Sequence, residues 1–105
     1  MGETLVEELG IPELTNEQVE ELCTVAEATA REYVYSRVSK KSVEKLFVST
    51  EVKDSKPINL TVEVDISLCP STKNLEVQDL VKTAVNEAFK SAEKYLRKLA
   101  CRSQK

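Results

Sequence analysis

The stretch PINLTVEVDISLCP, residues 57–70, has the alternation of a β-strand with one buried face. Apolar side chains at residues 58, 60, 62, 64, 66 and 68 are separated by polar side chains throughout. Because successive side chains of a strand point to opposite faces, this pattern predicts a strand over 58–68 with its apolar face on a core. The predicted core residues of this strand are Leu60, Val62, Val64 and Ile66.

The segment before it, VEKLFVSTEV at residues 43–52, shows a weaker alternation of the same kind. Leu46, Val48 and Val52 fall on one face, while Phe47 falls on the other. The polar connection KDSKP at residues 53–57 has a length that suits a hairpin. The two segments therefore predict an antiparallel hairpin with one dry and one wet face.

Two helices flank this hairpin. Thr15 followed by Gln18 fits a capping box, and apolar residues at helical spacing then predict a helix over 15–36. A longer apolar stripe predicts the second helix over 76–100. Small residues at intervals of four on that stripe form a candidate packing surface that lets a helix or sheet approach closely: Ala84, Ala88 and Ala92.

The order helix, strand, strand, helix predicts an α+β fold with a two-layer α-β-β-α arrangement. In this arrangement, both helices pack on one face of the antiparallel hairpin. Residues 15–100 then form a single domain, preceded by a lead-in segment at 1–14 and followed by a frayed tail at 101–105. The run ETLVEEL, residues 3–9, could add a strand to one edge of the sheet.

A two-stranded sheet leaves both of its edges open. A partner chain could cover an edge, and two copies joined edge to edge would share a twofold axis. We therefore expect a homodimer or a heterodimer with another small subunit. The alternative is a monomer whose edges are guarded by Lys and Glu side chains.

The residues that most often carry chemistry are scarce in this chain. There is no His among the 105 residues, and the two Gly residues cannot form a phosphate-binding loop. The three cysteines are scattered, which argues against a disulfide framework and a zinc site but leaves a single Cys69–Cys101 bridge open. We expect no enzyme activity, no cofactor and no metal.

Charge is divided unevenly along the chain. The net charge is −3, yet acidic residues dominate the first third and basic residues dominate the last turns. Helix dipoles and solubility explain such a division, and so does binding to RNA or tRNA. An RNA-binding accessory module is therefore the alternative function, and its candidate contacts are Lys40, Lys41, Lys94, Arg97, Lys98 and Arg102.

No apolar run approaches the ~18 residues of a transmembrane helix. The acidic start MGE is also unlike a secretory signal. These two observations predict a cytoplasmic protein with no membrane partner.

The segments IPELTNEQVEEL, AEATAREYVYSRVSKKSVEKLFVSTEV, LTVEVDISLCP and LEVQDLVKTAVNEAFKSAEKYLRKL together cover most of the chain. In overall pattern they resemble DUF3194, a small archaeal family of unknown function. Genes of that family often lie near those for prefoldin beta, exosome subunits and a small subunit of KEOPS, the tRNA-modifying complex. The resemblance implies an archaeal, cytoplasmic, translation-linked setting and no established activity.

A weaker likeness involves EKLFVSTEV, LTVEVDI and DLVKTAVNEAFKSAEKYLRKL. This run is similar to the strand–strand–long-helix half of the small dimerising KEOPS subunit. That subunit pairs through sheet edges and bridges catalytic subunits without doing chemistry. The likeness implies a non-catalytic small subunit or adaptor in a KEOPS-like assembly.

Overall fold

The computed structural model describes residues 2–53, 58–69 and 77–103 of the chain, with side chains for 4–53, 58–69 and 77–99. In chain order, the elements are β1 (Gly2–Gly10), α1 (Asn16–Arg37), a 3₁₀ turn (Lys40–Ser42), β2 (Val43–Lys53), β3 (Asn59–Leu68) and α2 (Val77–Ser103). The predicted α+β class is confirmed. Helix α2 continues to Ser103, into the segment predicted as a frayed tail.

The sheet has three antiparallel strands in the order β1-β3-β2, rather than the two of the predicted hairpin. The third strand lies within the predicted lead-in segment. Strand β1 pairs with β3 from Gly2 opposite Ser67 to Gly10 opposite Asn59. The strand that the sequence left open at residues 3–9 is therefore part of the sheet, and β3 becomes the central strand.

Strand β1 forms because it has a weak alternation of its own. Leu5 and Leu9 are half-buried on the face that contacts the core, opposite Val64 and Leu60. Val6 lies on the other face and is exposed. The alternation supplies enough apolar contact to hold the strand against the core, although Glu residues occupy several of its positions.

The core lies between the sheet and the two helices. The four predicted core residues of β3 are all fully buried there, namely Leu60, Val62, Val64 and Ile66. Burial of an aliphatic side chain of this size contributes about 1.5–3 kcal/mol relative to exposure. Helix α1 supplies Leu22 and Val34, also fully buried, and β2 supplies Val48.

The helices run antiparallel across the same face of the sheet. Helix α1 packs over β2, and α2 packs over β1 and β3. Thr29 of α1 contacts Ser91 of α2, whereas the earlier Glu21 contacts the later Tyr95. The capping box predicted at the start of α1 is present, with Thr15 and Gln18 each accepting from the other's backbone N–H.

The molecule is elongated, with extents of 53 × 25 × 19 Å. At one end, which we call the 3₁₀ end, α1 leads into the 3₁₀ turn and Val43 pairs with Leu68. At the other, the Lys53 end, Lys53 pairs with Asn59. Helix α1 begins at the Lys53 end, and the antiparallel α2 finishes there.

Candidate functional site

The Ala row of α2 lies inside the molecule. Ala84, Ala88 and Ala92 are each 0% exposed and belong to the core cluster. Ala26 and Ala30 of α1 are equally buried. Small side chains on both helices allow their backbones to approach closely. The candidate packing surface is thus used within this chain and is not presented to another one.

The candidate RNA contacts fall into two groups at opposite ends of the molecule. Lys40 and Lys41 are exposed in the turn at the 3₁₀ end. Lys94, Arg97 and Lys98 are exposed on the last part of α2, at the Lys53 end. The side chain of Arg102, the remaining candidate, lies outside the described residues. The structure does not bring the two groups together on one surface.

Local contacts of the basic residues are modest. The Lys40 Nζ lies 5.5 Å from the centre of the Tyr35 ring, within cation–π range. Arg97 Nη2 lies 3.9 Å from Glu93 Oε2, one turn earlier on α2. Both partners of this ion pair are largely exposed, so it contributes little to stability.

Cys23 and Cys69 are free thiols. The Cys69 Sγ lies 3.6 Å from the backbone O of Lys41 and donates to it. The bridge to Cys101 that the sequence left open is therefore not formed, and the Cys101 side chain lies outside the described residues. Within the described parts of the chain, no three His, Cys, Asp or Glu side chains cluster to hold a metal ion.

Among the helices of the described segments, none is both long enough and apolar enough to span a membrane.

One face of the sheet is left uncovered by the helices, and we call it the open face. Its apolar side chains include Val6, 51% exposed on β1, and Phe47, 49% exposed on β2. Between them lies Asp65 of β3, directly opposite Phe47. The Lys45 Nζ donates to the Asp65 carboxylate at 3.1 Å. This bond, followed by one from Thr4, holds the pKa of Asp65 below its ordinary value of 3.8.

Two of the three strands are edge strands, because β3 lies between β1 and β2. Bonded and non-bonded pairs alternate along an antiparallel ladder. Ile11 donates its N–H to Ile58 O, so the even-numbered residues of β3 bond to β1 and the odd-numbered ones bond to β2. The Cys69 N–H bond to Ser42 O agrees with this assignment.

The same alternation identifies the backbone groups on the outer side of β2. A β-bulge between Val43 and Lys45 shifts the register at the start of β2. From Lys45 to Lys53, odd-numbered residues of β2 face odd-numbered residues of β3 and bond to them. The N–H and C=O groups of Leu46, Val48, Thr50 and Val52 therefore point away from the sheet. We call this set the β2 free edge. It has no neighbouring strand within the described sheet.

The outer side of β1 is defined in the same way by the backbone groups of Thr4, Val6 and Glu8, which we call the β1 free edge. Its surroundings are acidic, because Glu7 and Glu8 both lie on this nine-residue strand. By contrast, β2 carries both signs of charge, with Glu44, Lys45, Glu51 and Lys53. The two edges therefore differ in the charge of the partner strand that each can accept.

Two hollows lie on the surface of the described residues. One of about 260 Å³ lies between β1 and α2, lined by Thr4, Leu5, Glu7, Gln78, Val81 and Lys82. The other, of about 450 Å³, is an open groove along the first half of α1, lined by Glu17, Glu20, Glu21, Thr24 and Val25.

Residues 11–95 match the family model described as "Protein of unknown function (DUF3194)". An uncharacterized protein of Thermococcus kodakarensis is 29% identical over 96 residues, which cover 91% of this chain and 88% of the relative. A crystal structure from Thermococcus onnurineus has a TM-score of 0.86 and 26% identity, and covers 97% of this chain and 98% of the other.

A solution structure of a hypothetical protein from Methanothermobacter thermautotrophicus has a TM-score of 0.70 at 19% identity. The superposition covers 85% of this chain and 96% of that one. At this identity, the similarity concerns the fold alone.

Proposed function

We propose, starting from the fact that this chain belongs to the DUF3194 family, that it is a non-catalytic small subunit or adaptor that pairs with another protein chain. The pairing site is the β2 free edge. The observation that carries this proposal is the orientation of the backbone at Leu46, Val48, Thr50 and Val52, whose hydrogen-bonding groups point away from the sheet. An edge of this length is a ready template for an added strand.

The charges on the two edge strands favour β2 over β1. Glu7 and Glu8 on β1 would repel an acidic partner and would also repel a second copy of the same edge. Strand β2 is longer, at 11 residues, and carries two acidic and two basic side chains. Exposed Phe47 lies on the same strand and offers apolar contact area.

Pairing through the helical layer is disfavoured by the burial of the Ala row. A partner helix could reach Ala84, Ala88 or Ala92 only if the core between α1 and α2 opened. Such opening would expose Leu22 and Val85, both fully buried. The sheet edge requires no such rearrangement.

The setting we propose is a cytoplasmic, translation-linked or tRNA-modifying assembly of KEOPS-like organisation. This part of the proposal rests on the gene neighbourhood of the family and on the likeness to the small dimerising KEOPS subunit. An adaptor role also accords with the scarcity of catalytic side chains in the sequence.

The test blocks one edge at a time. Thr50→Pro removes an N–H from the β2 free edge without removing a bond to β3, and Val6→Pro does the same on β1. Thr50→Val is the matched control, because the Thr50 hydroxyl also donates to Cys23 O at 3.3 Å. Each tagged variant is recovered from cells of the source organism, and the mass of its complexes is measured by native mass spectrometry.

We expect Thr50→Pro to lose the paired chain while wild type, Thr50→Val and Val6→Pro retain it. Thermal unfolding of the four purified proteins confirms that each is folded. Loss of the paired chain in Val6→Pro alone would assign the pairing site to the β1 free edge. Equal recovery in all four proteins would contradict pairing through a sheet edge.

A second candidate function, RNA binding, is favoured by the exposure of Lys94, Arg97 and Lys98 on the last turns of α2. Neutralising two of these residues should weaken tRNA binding and make its salt dependence less steep. Neutralising Lys40 and Lys41 is the internal comparison, because these residues lie at the opposite end. Absence of binding at low salt would remove this candidate.

A further inference from the structure

We infer that the chain that pairs with the β2 free edge is a second copy of this chain, joined antiparallel about Val48. This inference rests on the proposed function and specifies its partner and register. In this register, Val48 faces Val48 of the second copy, and Leu46 faces Thr50. The two sheets then form one continuous six-stranded sheet with a twofold axis.

Hydrogen bonding fixes which faces meet. From Lys45 to Lys53, only even-numbered residues of β2 direct their backbone groups outward, so even must face even across the new ladder. From Leu46 onward, even-numbered residues of β2 also carry the side chains on the helical side, such as Val48, while Phe47 lies on the open face. Both pairs of helices therefore lie on the same side of the six-stranded sheet.

Charge then distinguishes the permitted registers. About Val48, Lys45 faces Glu51 of the second copy, and the twofold axis makes this pair twice. A shift centred on Ser49 instead places Lys45 opposite Lys53, which is repulsive. A shift centred on Phe47 places Lys45 opposite Ser49, and this forms no charge pair. The Lys45 side chain is 61% exposed and can reach the new edge while remaining near Asp65.

Overlap and apolar contact favour the same register. Val48 is the middle residue of Val43–Lys53, and pairing about it overlaps the regular stretch from Lys45 to Glu51 of both strands, inside the bulge between Val43 and Lys45. Phe47 then faces Ser49 of the second copy, and the two Phe47 rings become diagonal neighbours. Aromatic side chains reach across such diagonal positions. Contact between the two rings thereby reduces the exposure of Phe47, which is 49% exposed in the single chain.

The register is tested by disulfide formation between chains. Phe47 and Ser49 would form a non-hydrogen-bonded pair across the new edge, where Cα atoms lie ~4.5 Å apart, close enough for a disulfide. Phe47→Cys and Ser49→Cys chains with tags of different mass are co-expressed, oxidised and separated without reductant. Wild type treated in the same way shows any cross-link from the natural cysteines.

We expect a cross-link between the Phe47→Cys chain and the Ser49→Cys chain. We expect none between two chains that carry the same substitution. Phe47→Cys linked to itself would place the axis at Phe47, and Ser49→Cys linked to itself would place it at Ser49. Either result would overturn the register while leaving edge pairing intact. Light scattering of the wild-type protein over a hundredfold dilution tests the identity of the partner. A monomeric mass throughout would overturn the inference that the partner is a second copy. The recovery experiment with Thr50→Pro tests the proposed function separately.

A charge-reversal series gives an independent measurement. Lys45→Glu and Glu51→Lys each replace two attractive pairs by two repulsions, so each weakens the dimer roughly tenfold. The double variant restores both attractions and should recover wild-type affinity. Lys82→Glu is the control, since Lys82 is exposed on α2, which packs over β1 and β3 and not over β2, so the dimer should be unaffected. A double variant no tighter than the singles would overturn the Lys45–Glu51 pairing.

Discussion

The hydroxyl of Thr29 on α1 donates a hydrogen bond of 2.7 Å to the hydroxyl of Ser91 on α2, at a partly buried position. The two residues are far apart in the chain and join the antiparallel helices near their middle. A bond of this kind contributes about 0.5–1.5 kcal/mol, and the loss of one partner leaves the other unsatisfied.

We therefore expect Thr29→Val to lower the free energy of unfolding by about 1–2 kcal/mol. The double variant Thr29→Val/Ser91→Ala removes both hydroxyls and should cost less than the sum of the single changes. Urea unfolding of the three variants and wild type measures the coupling. Additive single costs would show that the two hydroxyls do not interact.

Thr61 presents the opposite case. It is 9% exposed, and its Oγ1 is buried without a hydrogen-bond partner among the described residues. It lies on the open face between Glu8 and Glu51. Thr61→Val keeps the shape and removes an unsatisfied group, so the free energy of unfolding should stay unchanged or rise by up to about 1 kcal/mol.

Thr50→Val is the matched comparison for Thr61→Val, since the Thr50 hydroxyl does donate, to Cys23 O. It should lower the free energy of unfolding by about 0.5–1.5 kcal/mol. Chemical denaturation of both variants in one buffer tests the contrast. A clear loss of stability in Thr61→Val would show that its hydroxyl has a partner, such as water.

The Lys45–Asp65 ion pair predicts a pH dependence. Lys45 first and Thr4 second lower the pKa of Asp65 below 3.8, so the native state holds this proton less strongly than the unfolded chain. The resulting stabilisation is fully present above the unfolded pKa and is lost as the pH falls through the native pKa. Lys45→Met should raise the pKa of Asp65 towards its ordinary value, measured by the NMR titration of its carboxyl carbon.

A matched variant, Lys53→Met, removes a cation from the same strand at a distance from Asp65. Its ion pair joins Lys53 to Glu8 at 4.0 Å. The pKa of Asp65 should therefore change in Lys45→Met alone. An equal change in both variants would assign the effect to the net charge of the sheet.

The Ala row of α2 should tolerate no added volume. Ala88→Leu places three extra carbon atoms into a site that is 0% exposed, and such overpacking costs typically ~1–3 kcal/mol. Lys90→Leu, at an exposed position two residues later, should change the free energy of unfolding by less than about 0.5 kcal/mol. Thermal unfolding distinguishes the two. A fully tolerated Ala88→Leu would contradict close packing between α1 and α2.

The sequence predicted those elements whose signal is local. The alternation through Leu60, Val62 and Val64 was strong enough to give β3 and its buried face, and Thr15 with Gln18 gave the start of α1. Strand β1 was only an option, because its partner β3 lies in the second half of the chain. No short window of sequence contains that pairing.

The candidate site depended on a relationship that sequence order does not supply. Lys40 and Lys98 belong to groups that the helices place at opposite ends of an elongated molecule. The uneven charge of the two edge strands became informative only when Glu7 and Lys45 were placed on opposite sides of β3. Residue types were visible in the sequence, but their separation required the topology.

The position of β3 in the middle of the sheet bears on how the protein is made. Translation proceeds from the N-terminus, so β1 leaves the ribosome well before Asn59, the first residue of its pairing partner. Strand β2 emerges just ahead of β3 and can close a hairpin at once, because short connections form quickly. Strand β1 must then pair with the remaining side of β3. We expect its acidic side chains to oppose aggregation as long as it is unpaired.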